Sequence, residues 1–169
     1  MPDARQRLVI AVLIAIGAAL GLAGSLVPSA SWRAVLWGID GTALVVAGAW
    51  LTIRFARQGQ DLAAVGFLVF TVGETLVVAT SGMDPRAAAP MFGAGIGLWA
   101  ASLAMIGIAP VFPALVRGLG VIAAALFAYT ALAILGGQSL DALSTPLPGK
   151  AYPLLVATMV GWIVTLVRR

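Results

Sequence analysis

The 169-residue chain is 62% hydrophobic and 9% charged, with six acidic and ten basic side chains and neither cysteine nor histidine. Soluble domains carry about a quarter of their residues as charges, so this composition excludes a water-exposed surface of the usual kind. The missing cysteine and histidine exclude disulfides, thiol nucleophiles and the common transition-metal sites, and no metal or other cofactor is expected.

Six apolar runs appear in chain order, over residues 8–27, 34–53, 62–80, 88–108, 114–135 and 151–167. Each is about long enough to cross a hydrocarbon core of roughly 30 Å. The alternation over about ten residues that a β-barrel strand would show is absent. The expected fold is all-α: a polytopic transmembrane helix bundle of six spanning helices. It forms a single integral membrane domain over residues 1–169, with the lipid bilayer as its first partner.

The first run follows Arg5 and Arg7 and carries Gly17, Gly21 and Gly24 on one face. Small residues at that spacing let membrane helices approach closely. The basic start and the small residues Ser29, Ala30 and Ser31 also loosely resemble a cleavable signal peptide. However, the apolar run exceeds the usual length of about 7–15 residues, and Pro28 fits a cleavage site poorly. The second run contains Asp40 and the third Glu74, the only two acidic residues inside long apolar segments. The fourth repeats the small-residue pattern with Gly93, Gly97, Ala100 and Ala104. The fifth carries Tyr129 and Thr130 near its end, and residues 136–150 connect it to the sixth as the longest loop on that side.

Basic residues orient the bundle. Arg5, Arg7, Arg54, Arg57, Arg117, Arg168 and Arg169 fall on one side, against Arg33, Arg86 and Lys150 on the other. Positive charge collects on the cytoplasmic face, so both termini are expected there. Nine of the ten basic residues are arginine, alongside abundant alanine and glycine, which points to a bacterial cytoplasmic (inner) membrane. The same arginines explain the net charge of +4 without any nucleic-acid partner. Trp32, Trp37 and Tyr152 are expected near the outer interface, and Trp50 and Trp162 near the inner one. Trp99 falls mid-segment and reads as a packing residue.

The acidic pair carries the functional argument. A carboxylate in hydrocarbon costs at least ~2.5–3.5 kcal/mol, so its presence needs a reason. Counted from the segment ends, Asp40 and Glu74 each lie seven residues from the outer face, which predicts a pair at one depth on adjacent antiparallel helices. Asp40 has no polar companion on its own helical face, where Ala43 and Ala47 follow it. Thr71 and Thr75 accompany Glu74 on the third segment, and Tyr129 reaches a similar depth on the fifth. The predicted ligand- or proton-binding set is therefore Asp40, Glu74, Tyr129, Thr71 and Thr75. Two close carboxylates in low dielectric share a proton or hold a cation. The pair alternatively fixes helix register as hydrogen-bonded glue. No nucleophile–base arrangement or metal set is present, so no catalytic residue is assigned.

Two functions fit this pattern. One is a protein that binds or transports a small solute or proton through an outward-facing polar site. The other is an accessory or assembly subunit whose Gly/Ala faces dock on a larger membrane partner or on a second copy. The split of six segments into three plus three also permits an inverted repeat. Its one echo is Pro28 followed by Arg33, and Pro110 followed by Arg117.

Overall fold

Pro28 and the hydroxyl of Ser29 set the first turn of the bundle. The computed structural model describes residues 2–168, with side chains from Ala4 to Arg168. Helix α1 runs over Pro2–Leu26 and stops just before Pro28. Ser29 Oγ then accepts from the Trp32 amide at 3.5 Å, so α2 (Ala30–Arg57) begins four residues before the apolar run does. A side-chain oxygen at this position satisfies one of the amides that a helix start leaves unpaired. Four more helices follow: α3 (Asp61–Ala79), α4 (Pro85–Ile108), α5 (Ala114–Leu135) and α6 (Tyr152–Arg168). Asp84 caps α4 by accepting from the Arg86 and Ala87 amides, with Pro85 in the first turn. A π-helical turn, Leu147–Ala151, leads into α6. There is no strand among the described residues, and the six helices are long and apolar enough to cross a membrane.

Glycines fix how the helices meet. Gly41 and Gly48 of α2 face Val78 and Thr71 of α3; Gly73 of α3 faces Gly95 and Trp99 of α4. Gly93 and Gly107 of α4 face Ile134 and Val121 of α5, and Gly120 of α5 faces Thr158 of α6. In every pair, residues later in one helix meet residues earlier in the next, so neighbours run antiparallel. Helix α6 packs back on α1 and closes the six into a ring. The small-residue stripes expected on α1 and α4 are used inside the chain: Gly17 lies against Leu44, Gly24 against Trp37, and Gly97 against Ala131.

Backbone meets backbone between α3 and α4. A Cβ at Gly73 would lie 2.8 Å from the Gly95 carbonyl oxygen, and one at Gly95 would lie 3.0 Å from the Gly73 carbonyl oxygen. Both obstacles are backbone and cannot rotate away. Gly73→Ala should therefore destabilise by about 1–3 kcal/mol, the usual cost of overpacking, seen as a lower melting temperature in detergent. Ala at Gly38, where nothing lies within 4 Å of the added carbon, is the control.

Two arginines reach back across the preceding turn. Arg33 donates to the Val27 and Pro28 carbonyls, both at 3.1 Å. Arg117 donates to the Gly107 and Ile108 carbonyls at 2.6 and 3.1 Å. The acceptors of Arg117 are carbonyls that the end of α4 leaves unpaired, and those of Arg33 lie just past the end of α1, where a cation is also favoured by the helix dipole. The Pro–Arg echo in the sequence is this shared capping device, placed at opposite ends of the bundle.

Aromatic rings fill the half of the bundle nearer the termini. Phe55 stacks on Phe67 at 5.5 Å, Phe67 meets Trp162 edge-on at 5.0 Å, and Phe112 lies against all three at 5.8–6.2 Å. The column continues through Phe70, Trp99 and Phe127 to Tyr152. Trp162 is only 2% exposed, which corrects its expected place in an interfacial belt. It shares the inward stripe of α6 with Leu155, Met159 and Leu166, and that helical spacing turns it into the core. Trp32 and Trp50 do face outward.

Candidate functional site

Opposite the aromatic column, the ring of helices opens. A cavity of about 410 Å³ lies between α1, α2, α3, α4 and α6, with the α3–α4 turn and residues 140–143 at its mouth. Those four residues form a strap. Its turn is held by Asp141 Oδ1, which accepts from the Leu143 amide and the Ser144 hydroxyl, both at 2.9 Å, while Leu140 and Ala142 pack on the core.

Asp40 enters the cavity from α2, its carboxylate laid against α1. A Cβ at Gly21 would sit 2.7 Å from Asp40 Oδ2, and one at Gly17 would sit 3.2 Å from Oδ1. The α1 glycines thus make room for a side chain that finds no polar neighbour on its own helix. One turn nearer the mouth, the Trp37 indole donates to the Gly21 carbonyl at 3.1 Å and locks the α1–α2 seam.

Glu74 enters from α3 and is 2% exposed. The pairing of Gly41 with Val78 and of Gly48 with Thr71 sets its backbone level with Val45. That is five residues, or about 7 Å at 1.5 Å per residue, further from the mouth than Asp40. The backbones therefore do not share one depth, because α2 starts earlier than the apolar run and overhangs the shorter α3. The side chain makes up the difference: Glu74 Oε1 would lie 3.1 Å from a Cβ at Gly41, the residue after Asp40. The two carboxylates are close enough to feel each other's charge, and the Trp99 indole lies near Glu74 without a hydrogen bond to it.

The remaining predicted companions lie elsewhere. Thr71 Oγ1 donates to the Phe67 carbonyl at 2.9 Å and packs against Gly48, below the cavity floor. Thr75 is exposed and donates to the Thr71 carbonyl at 2.9 Å. Tyr129 is 63% exposed on the outer face of α5. None of these three lines the cavity, whereas Trp37, Trp99 and Tyr152 do. Tyr152 lies within electrostatic reach of Glu74, Asp141 and Asp40. Trp37 and Tyr152, expected as interface anchors, instead form part of the cavity wall.

Hydrogen-bond accounting singles this place out. Four buried side-chain polar atoms among the described residues have no hydrogen-bond partner: Arg33 Nε, Asp40 Oδ1, Glu74 Oε2 and Trp99 Nε1. All four residues line this one cavity. Buried polar groups are normally satisfied, since each one left without a partner costs about 1–3 kcal/mol. By contrast, the buried hydroxyls of Ser102, Thr130 and Thr158 all donate to carbonyls of their own helices. No cluster of metal-ligating side chains occurs among the described residues. No protein-family model matches the chain, and no curated protein or solved structure matches it.

Proposed function

We propose that this chain is a multi-pass protein of the bacterial inner membrane that binds a small solute in the cavity around Asp40 and Glu74. The observation that carries the reading is the convergence of the orphaned polar atoms, both donors and acceptors, on one cavity. A hydrogen-bonded register device would satisfy those atoms within the protein. A solute site instead presents them to its ligand. The excess of arginine at the terminal end orients the cavity mouth to the outer face, so solute is captured from outside. The accessory-subunit reading has less to stand on, because the Gly17, Gly21, Gly24, Gly93 and Gly97 faces already pack within the chain.

Cysteine labelling tests this cleanly, since the native chain has no cysteine. Val77→Cys and Ala89→Cys, both in the cavity wall, should react with a membrane-impermeant maleimide added to intact spheroplasts. Gln58→Cys, in the α2–α3 turn, should react only in inside-out vesicles. Cavity cysteines that label only from the inside-out side would reverse the orientation. Cavity cysteines unreactive from both sides would end the binding reading.

A further inference from the structure

The cavity's chemistry narrows the solute. Resting on the reading above, we infer that it selects an organic cation: a protonated or quaternary amine carried on an apolar body. Asp40 and Glu74 place two carboxylates at the deep end, and Asp141 adds a third on the strap. No ion pair to Asp40 or Glu74 occurs among the described residues. Arg33 is the one basic side chain lining the cavity, and its guanidinium is engaged at the mouth by the Val27 and Pro28 carbonyls. It also lies over the Trp37 ring, 5.8 Å from the centroid. The deep carboxylates thus lack a counter-charge from the protein. Buried charge without a partner is costly, so a cation entering here gains what the fold withholds.

The walls decide which cation. Trp37, Trp99 and Tyr152 present aromatic surface around the carboxylates, and Phe92 adds a fourth ring. Aromatic faces attract desolvated organic cations, above all alkylated ammonium groups. The rest of the lining is mostly aliphatic, including Leu44, Val77 and Met159. A hard inorganic cation needs about six oxygen ligands, which this wall does not offer. An anion meets like charge from Asp40 and Glu74 at the deep end. A neutral apolar solute leaves Asp40 and Glu74 as they are. A volume of about 410 Å³ holds a molecule with one or two rings, within the range of ordinary small-molecule sites.

The test is a titration of the purified protein in detergent, read by tryptophan fluorescence and by melting temperature. Three probes of similar bulk differ in charge: benzyltrimethylammonium, benzyl alcohol and benzenesulfonate. The cation alone should give a saturable signal. In the Asp40→Asn/Glu74→Gln double variant its affinity should fall at least about tenfold, which corresponds to about 1.4 kcal/mol. The three-probe comparison on the unaltered protein requires no variant to fold. Saturation by benzenesulfonate or benzyl alcohol equal to that of the cation overturns the proposal, as does a folded double variant that binds normally. A cation titration without saturation, with Val77→Cys still labelled from outside, overturns the cation inference and leaves the cavity reading intact.

Discussion

Glu74→Met should make the protein more stable, by about 1–3 kcal/mol, while removing the solute response. Glu74 is 2% exposed, and its Oε2 has no hydrogen-bond partner. Replacing an unsatisfied buried polar group by an apolar one of similar shape removes its desolvation cost without breaking a bond. The change also relieves the repulsion between Glu74 and Asp40, so each single substitution already removes their interaction. Asp40→Leu combined with Glu74→Met should therefore gain less than the sum of the two single changes. The measurement is the thermal unfolding midpoint in detergent, followed by tryptophan fluorescence. A hydrogen-bonded register device predicts the opposite sign, since its loss would loosen the helices. A fall in melting temperature for Glu74→Met would thus decide for structural glue. A rise fits sites in general, where function is retained against stability.

Trp162→Ala should have the largest effect in the other direction, a loss of about 3–5 kcal/mol. Its ring touches Phe67, Phe70 and Phe112 at centroid distances of 5.0–6.2 Å. Those partners come from α3 and from the α4–α5 turn, so one deletion opens a void where three elements meet. Trp162→Phe keeps a ring in place and should recover most of the loss. Beyond stability, the truncation thins the barrier below the cavity. Thr158→Cys, buried one turn from Trp162, should become reactive to small thiol reagents in the Trp162→Ala background and stay unreactive otherwise. Unchanged melting and unchanged labelling would show that the column does not seal the bundle.

Helix number was legible because each span declares itself as one long apolar run. The start of α2 was less legible, since a local hydrogen bond from the Trp32 amide to Ser29 extends the helix into polar sequence that hydropathy assigns to a loop. That extension also upset the depth count for Asp40 and Glu74. Their proximity survives because a glutamate side chain spans about one helical turn. Depth alone points to Tyr129, and depth says nothing of direction. The buried stripe of α5 runs through Ala123, Phe127, Thr130 and Ile134, and Tyr129 lies off it. Tyr152 and Trp37 were assigned to the interface from their distance to a loop. Burial of the turn Leu147–Ala151 draws Tyr152 inward, and the Gly21 carbonyl holds Trp37 at the cavity wall. Those are tertiary facts that one sequence does not encode at short range.

The one-sided opening also has an electrical consequence. In the proposed orientation, water reaching towards Asp40 from outside would carry the external potential inward with it. The membrane voltage then drops mainly across the low-dielectric aromatic half between Phe70 and Phe55. A unit charge crossing the full membrane exchanges about 2.3 kcal/mol per 100 mV. A cation resting beside Asp40 has crossed little of that drop and should bind with weak voltage dependence. Any further movement past Trp162 would take nearly all of it. In that orientation the rings that hold the bundle together would also hold most of its electric field.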